Sequence, residues 1–203
     1  MSDIPQNLNC YATRNLERPW SMETYKSIGG YSAWEKILRE KIAPADVIEL
    51  VKASGLRGRG GAGFPTGMKW GFVPQDTGRP NYLVVNADES EPGACKDIPL
   101  LFANPHALIE GIAITCYAIR AKHAFVYIRG EVPNAHRRLR AAVNEAYAAG
   151  LLGKNVLGAA AADVAQACAA IGGIPTAAPG TNALGQVVDA VAAGAVQYVK
   201  TGN

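Results

Sequence analysis

The sequence predicts an α/β fold: a parallel sheet with flanking helices, a helical and irregular N-terminal segment, and an alanine-rich C-terminal tail of uncertain structure. Two short apolar runs, at residues 81–86 and 124–128, are bounded by polar residues and have the length of buried strands. A helical pattern follows each run, over residues 105–120 and 133–149. The order strand, helix, strand, helix implies parallel strands joined by right-handed crossovers.

The N-terminal third is predicted to hold two helices after an irregular start. Residues 1–30 are polar and contain Pro5 and Pro19, so we expect them to wrap a surface. A short helix is predicted over residues 31–40. A second helix begins at Pro44, because the apolar residues that follow recur at helical spacing: they are Val47, Ile48 and Val51.

The two helices that follow the predicted strands differ in the polarity of their surfaces. The helix at residues 105–120 is apolar almost all round and is therefore expected to be buried. The helix at 133–149 has Pro133 in its first turn and Gly150 just past its end. Its basic cluster at residues 136–140 is interpreted as a solvated face, not a nucleic-acid surface.

Composition, net charge and cysteine spacing argue against several classes of function. The 203 residues are 49% hydrophobic and 18% charged, which is typical of a globular domain, and a net charge of +3 predicts no nucleic-acid partner. The four cysteines, Cys10, Cys95, Cys116 and Cys168, are scattered without a C-x-x-C pair, so no metal site is predicted and the thiols are expected to stay reduced in the cytoplasm. No apolar run reaches the ~20 residues of a membrane span, so any membrane association is expected to pass through a partner.

The most informative feature is a glycine-rich segment, residues 55–70. It contains six glycines together with Arg57, Arg59 and Lys69. Glycine allows positive φ and close backbone approach, and successive N–H groups form a concave nest for anions. The segment therefore predicts a loop that grips phosphate, with a flexible linker as the alternative.

Within this segment, residues 58–63 match G-x-G-x-x-G, which alone is a weak signal. The dinucleotide-binding motif requires a strand before the loop and a helix after it. Here the preceding residues look helical, and Pro65 and Gly67 argue against a helix interior at residues 64–67. We therefore expect a free-standing nucleotide loop after a helix, not an ordinary Rossmann turn.

A second polar stretch, the acidic loop of residues 86–91, directly follows the first predicted strand. Ligands of parallel sheets lie beyond the carboxyl ends of the strands. Carboxylates repel phosphate but accept hydrogen bonds from sugar or ribityl hydroxyls and from amides. The ligand predicted for both loops is anionic at its phosphates and rich in donors at its sugar. A solvated acidic turn and a site for a hard cation are the alternatives.

Together these motifs resemble the flavoprotein subunit of bacterial respiratory complex I, which is the NADH-binding F subunit of NADH–quinone oxidoreductase. The resemblance covers about residues 20–157 and rests on the glycine-rich segment and on the motif at 86–93. Shorter matches support it at Lys96-Asp97, at residues 104–106, at Arg129-Gly-Glu131 and at residues 152–155.

The resemblance implies bound FMN, NADH as substrate, hydride transfer from NADH to FMN, and electron passage to iron–sulfur clusters. It assigns no certain catalytic residue. The flavin-binding residues it implies are Gly58, Arg59, Gly60, Gly61, Lys69, Asn86, Asp88, Glu89, Ser90 and Glu91. The NADH-binding residues it implies are Gly60, Gly61, Ala62, Gly63, Phe64, Phe72 and Glu91, with the two phenylalanines stacked on adenine.

The resemblance also implies partners and a location. The partners would be a thioredoxin-like 2Fe-2S subunit and the large iron–sulfur subunit of the peripheral arm. The location would be the cytoplasmic face of the cell membrane. The cysteine ligands of the family's 4Fe-4S cluster are absent from this sequence.

Three regions are predicted: an N-terminal wrapping segment at 1–40, an incomplete FMN- and NADH-binding domain at 41–157, and the atypical tail at 158–203. The tail holds 15 alanines and only three charged residues, and helical pieces are expected over 159–171 and 183–198. This composition suggests a truncated subunit. The alternatives are a catalytically silent nucleotide-binding remnant and the diaphorase subunit of an NAD-linked hydrogenase or formate dehydrogenase.

Overall fold

The structure is a computed structural model, which describes residues 11–74, 77–153, 156–158, 170–173 and 196–198. Its helices are α1 (Met22–Ser27), α2 (Ser32–Arg39), α3 (Pro44–Ala53), α4 (Thr66–Gly71), α5 (Asp97–Ala103), α6 (Pro105–Ala118) and α7 (Pro133–Ala148). Its strands are β1 (Asn81–Asn86), β2 (Ala121–Tyr127), β3 (Ala170–Gly173) and β4 (Val196–Tyr198).

The strands form one sheet in the order β3-β2-β1-β4. β1 and β2 are parallel, with Asn86 beside Tyr127 at their carboxyl ends. β3 continues the parallel sheet beyond β2, whereas β4 pairs antiparallel with β1. The predicted α/β class with a parallel sheet is therefore confirmed, with one antiparallel strand added at its edge.

Helix α6 makes the crossover between the two central strands and is the centre of the core. Ten of its residues are buried, as its nearly uniform apolar sequence predicted. Pro105 begins the helix and the side chain of Asn104 caps it by accepting a hydrogen bond from the Ala107 N–H at 3.4 Å. The helix thereby lies on the path from the carboxyl end of β1 to the amino end of β2. The loops that directly follow β1 and β2 lie at the carboxyl ends of these strands.

Helix α7 follows β2 and packs one face on this core. Its buried residues recur at helical spacing, and they are Ala135, Leu139, Ala142, Val143 and Ala146. The basic cluster lies mainly on the other face, where His136 and Arg140 are exposed. Arg138 instead stacks on the ring of Trp20, with 3.9 Å between its guanidinium carbon and the ring centroid. This cation–π contact ties the N-terminal segment to α7.

The N-terminal segment is anchored in the core by two aromatic residues. Tyr31 and Trp34 are fully buried, and the Trp34 indole N–H donates to the Leu151 carbonyl at 3.1 Å. The Tyr31 hydroxyl forms a hydrogen bond of 2.7 Å with Nδ1 of the buried His106. Burial lowers the pKa of His106, although Glu145 beside its Nε2 opposes this shift. The imidazole is therefore neutral near pH 7.

The structure corrects the sequence prediction for three helices and for two short segments of the tail. Helices α1 and α5 were not predicted, and α4 begins at Thr66, where Pro65 and Gly67 had argued against a helix. Helices predicted through residues 170–171 and 196–198 are wrong, because these residues pair with the open edges of β2 and β1 as strands. The remainder of those two predicted helices lies outside the described residues, and the three-region division of the chain stays a prediction.

Candidate functional site

The glycine-rich segment begins as a closed loop directly after α3. The Gly58 N–H donates to the Phe64 carbonyl at 2.9 Å, and the Thr66 N–H donates to the Leu56 carbonyl at 2.8 Å. The Arg57 guanidinium also donates to the Gly63 carbonyl, at 2.9 Å. These bonds hold the loop in one shape, which a flexible linker would not require.

The tip of this loop presents a row of backbone donors. Gly61 and Gly63 have φ of 103° and 61°, and a Cβ added at either would meet no atom within 4 Å. Within the described part of the chain, none of the backbone N–H groups of residues 59–63 donates a hydrogen bond. Alternation of ordinary and left-handed residues turns successive N–H groups toward one point, which is the geometry of an anion-binding nest.

Lys69 adds a cation on α4, immediately after the loop. Its side chain is half-buried, and burial lowers the pKa of its ammonium. Among the described residues, the ammonium has no hydrogen-bond or ion-pair partner. A partly desolvated and unpaired cation on the helix that follows a row of N–H donors favours an anionic ligand. Arg59 is exposed at the tip of the loop, where its guanidinium is accessible to such a ligand.

The surroundings of the loop confirm that it is not an ordinary Rossmann turn, because helix α3 and not a strand precedes it. Gly67 explains how a helix can nevertheless follow at once. A Cβ at Gly67 would lie 2.5 Å from the backbone nitrogen of Lys52. The glycine that argued against a helix is therefore what allows α4 to pack directly on α3.

Two phenylalanines flank this segment. The rings of Phe64 and Phe72 lie 6.1 Å apart between centroids, at 53°, and the residues are 44% and 68% exposed. Large apolar rings are rarely left so exposed side by side without a ligand or partner. Their arrangement gives a flat ligand group an apolar face to stack on.

The acidic loop leaves the carboxyl end of β1 in a tight turn. The Asn86 side-chain oxygen accepts from the Asp88 N–H at 2.9 Å, and the Ala87 N–H donates to the Tyr127 carbonyl of β2 at 2.8 Å. The Ser90 hydroxyl donates to the Asp88 carboxylate. The structure thus brings these predicted residues together at the edge where ligands of parallel sheets bind.

Glu89 has a different environment from its neighbours. It is only 8% exposed, and its carboxylate accepts from the backbone N–H groups of Lys96, Asp97 and Ile98, the last two at 2.7 and 2.8 Å. Burial alone would raise the pKa of Glu89, but the three N–H donors outweigh it and hold the pKa below its usual value. The carboxylate therefore caps the first turn of α5 in its ionised form.

Arg129 and Glu131, which follow β2, belong to the sequence motif but were not predicted as site residues. Two guanidinium nitrogens of Arg129 donate to the two carboxylate oxygens of Glu131, at 3.2 and 3.1 Å. A third nitrogen donates to the backbone carbonyl of Glu89 at 3.4 Å. Their position just after β2, equivalent to that of the acidic loop after β1, was the signal that could have identified them.

Metal binding finds no support in the described residues: no group of three or more histidine, cysteine, aspartate or glutamate side chains is arranged to hold an ion. Among the described residues, neither Cys95 nor Cys116 forms a disulfide, whereas Cys10 and Cys168 lie outside the described residues. Glu91 and Ser90 are exposed and remain accessible to a ligand.

No single helix in the described part of the chain has the length and apolarity to cross a membrane; α5 and α6 would pass only as a pair, and they are bent by 104°.

Comparison with known proteins gives a consistent result. The family described as the Nuo51 FMN-binding domain matches residues 51–201. The F subunit of NADH-quinone oxidoreductase of Streptomyces coelicolor is 66% identical over 142 residues, which cover 70% of this chain and 31% of that protein. The corresponding protein of Mycobacterium tuberculosis is 62% identical over 146 residues, covering 68% and 32%.

Among solved structures, an NAD⁺-reducing [NiFe]-hydrogenase in its H₂-reduced state matches with a TM-score of 0.55 and 34% identity. The match covers 65% of this chain and 21% of the hydrogenase chain. The chain spans about a third of the length of the curated relatives. Since the family match takes in most of the chain, including both loops, this protein belongs to the Nuo51 FMN-binding domain family.

Proposed function

We propose that this chain is the FMN- and NADH-binding part of a flavoprotein subunit of an NADH–quinone oxidoreductase, where hydride passes from NADH to FMN. The observation that carries the proposal is, in the described part of the chain, the row of unpartnered N–H groups at residues 59–63 together with the unpaired, half-buried ammonium of Lys69 on the helix that follows. This donor set fits a phosphate monoester, which brings two negative charges and three acceptor oxygens.

The acidic loop would take the uncharged part of the flavin. Asp88, Ser90 and Glu91 offer acceptors for ribityl hydroxyls and for ring N–H groups, and Asn86 fixes the turn that presents them. Glu91, which is exposed at the end of the loop, would also meet the nicotinamide. No residue of this set needs to transfer a proton, because the protein would act by positioning FMN and NADH against each other.

NADH would approach along the glycine-rich segment. Gly60, Gly61, Ala62 and Gly63 leave the backbone open to a ligand, and the exposed rings of Phe64 and Phe72 offer the stacking face for adenine. Bound FMN would supply the redox chemistry, since it accepts a hydride from NADH and releases electrons singly toward iron–sulfur clusters.

The relatives' names extend the proposal to an assembly, because each of those proteins is one subunit of a larger oxidoreductase. The partners would be the thioredoxin-like 2Fe-2S subunit and the large iron–sulfur subunit. This chain would then lie at the cytoplasmic face of the membrane and contact the membrane only through those partners.

A second candidate is the diaphorase subunit of an NAD-linked hydrogenase. The solved NAD⁺-reducing [NiFe]-hydrogenase supports it with 34% identity, whereas the quinone oxidoreductase relatives reach 62–66%. The higher identity favours the quinone oxidoreductase. Either assignment gives this chain the same task at the flavin.

Anaerobic addition of NADH to the FMN-loaded chain tests the proposal. We expect the visible absorbance of the flavin to bleach, and to return with ferricyanide.

Phe64→Ala should require roughly ten- to hundredfold more NADH for half-bleaching, because a stacked base contributes ~1–3 kcal/mol. Phe102→Ala, a matched change at a phenylalanine of α5 that is 37% exposed, should not. An FMN-loaded chain that does not bleach at saturating NADH would contradict the proposal and indicate a catalytically silent remnant.

A further inference from the structure

Glu89 lies at the centre of the acidic loop, but its side chain is occupied within the protein. Its carboxylate accepts from three consecutive backbone N–H groups, those of residues 96–98, so that most of its acceptor capacity is used. Asp88 and Glu91, on either side, have no such contacts with the backbone of α5. The three acids of this loop therefore differ in what they can offer to a ligand.

The backbone at Glu89 is held as firmly as its side chain. Its φ is 49°, in the left-handed region that non-glycine residues seldom adopt. The residue stays there because it is fixed on both sides: α5 holds the carboxylate, and the Arg129 guanidinium donates to the carbonyl. Arg129 is itself oriented by its bidentate pair with Glu131.

This left-handed turn decides where the neighbouring side chains lie. Asp88 precedes the turn, and Ser90 and Glu91 follow it, so a change of φ at residue 89 would move the groups on one side relative to those on the other. The hydrogen bonds from the Asp97 and Ile98 N–H groups to the Glu89 carboxylate also attach the acidic loop to the first turn of α5.

From these contacts we propose that Glu89 is a positioning residue, which acts through the acidic loop by holding Asp88, Ser90 and Glu91 in their ligand-binding arrangement and does not itself contact the flavin. The ligand half of this inference rests on the proposed function. The structural half, in which the carboxylate of Glu89 orders residues 86–98, does not.

Hydrogen–deuterium exchange on the ligand-free chain, combined with FMN titration, separates the two halves. Glu89→Gln keeps the size of the side chain but removes its charge and replaces one acceptor oxygen by a donor. We expect the amides of residues 96–98 and of the acidic loop to exchange at least about tenfold faster, and FMN affinity to fall by at least about tenfold. Exchange in β1 and α6 should stay unchanged. Glu23→Gln, the same replacement at an exposed glutamate in the first turn of α1, should change neither quantity.

Each other outcome overturns a defined part of the inference. Weaker FMN binding with unchanged exchange at residues 96–98 would show that Glu89 contacts the flavin directly. Faster exchange with unchanged FMN affinity would show that the order of the loop does not matter to the ligand. A wild-type chain that binds no FMN would overturn the proposed function and the ligand half with it, while the exchange measurement would still decide the structural half.

Discussion

At the scale of single residues, the glycines of the glycine-rich segment fall into two groups according to what a Cβ would meet. At Gly67 it would lie 2.5 Å from the nitrogen and 2.9 Å from the Cα of Lys52. At Gly61 and Gly63 it would meet nothing, although both residues have left-handed φ. Gly67 therefore serves helix packing, whereas Gly61 and Gly63 shape a surface that is open to a ligand.

Alanine substitution should separate these two roles. Gly67→Ala should destabilise the fold by more than about 2 kcal/mol, because two backbones must move apart. Gly61→Ala should cost only about 1–2 kcal/mol of backbone strain but should weaken FMN binding at least tenfold. Urea unfolding and FMN titration measure the two effects. Gly111→Ala is the control, since it lies on α6 outside both loops, its φ is not left-handed and its Cβ would meet nothing within 4 Å, so that FMN affinity should not change. Equal effects of the changes at 61 and 67 on stability would contradict the division.

At the scale of elements, the first two helices depend on one carboxylate of α6. Glu110, 7% exposed, accepts from the Tyr25 hydroxyl at 2.6 Å and from the N–H groups of Tyr31 and Trp34 at 2.8 and 3.1 Å. Burial and this contact with Glu110 raise the pKa of the Tyr25 hydroxyl far above its usual value, so it remains a donor. The core helix thereby caps α2 and fixes α1 at the same time.

Removal of this carboxylate should loosen the N-terminal segment. Glu110→Ala leaves three donors without an acceptor, and we expect a loss of at least about 2 kcal/mol in the free energy of unfolding. Limited proteolysis should then cut within residues 20–40 before it cuts the sheet. Glu23→Ala, an exposed glutamate in the same segment, should stay within about 0.5 kcal/mol of the wild type. If both variants unfold alike, the network does not anchor the segment.

The elements also show where sequence reasoning succeeds and why it fails elsewhere. Apolar spacing predicted α3, a nearly uniform apolar sequence predicted α6, and Pro133 with Gly150 predicted the limits of α7. The short apolar run predicted β1 with the bounds it has in the structure, because a buried strand requires such a run. Helix α4 was not predicted, since its start depends on the distance between α3 and Gly67, which a sequence does not display. Residues 170–171 of β3 and all of β4 were expected to be helical, but pairing with the sheet edges overrides the helical preference of this alanine-rich sequence.

The site divides in the same way. The position of the acidic loop could be predicted, because the order strand, helix, strand, helix implies a parallel sheet and ligands of such sheets lie beyond the carboxyl ends of the strands. The role of Glu89 could not be predicted, because a carboxylate that caps α5 and one that faces a ligand have the same sequence signature. The contact of Arg129 with the Glu89 carbonyl could not be predicted either, because it depends on the register of β1 against β2.

At the scale of the whole molecule, the fold supplies a packed core around α6 and places the groups of the proposed site on loops. Backbone hydrogen bonds and a guanidinium hold the glycine-rich segment, and α5 and Arg129 hold the acidic loop. The first segment has the chemistry for a phosphate and the second has the chemistry for hydroxyl and amide donors. A flavin mononucleotide carries both kinds of group in one molecule.

The affinities of FMN and riboflavin for the purified chain, compared by calorimetric titration, test this division most directly, because the two ligands differ only in the phosphate. The account predicts that FMN binds at least about tenfold more tightly than riboflavin and that Lys69→Met removes most of this difference while leaving riboflavin affinity unchanged. Equal affinities of the two ligands, or a preference for FMN that Lys69→Met does not reduce, would contradict the assignment of the glycine-rich segment to the phosphate.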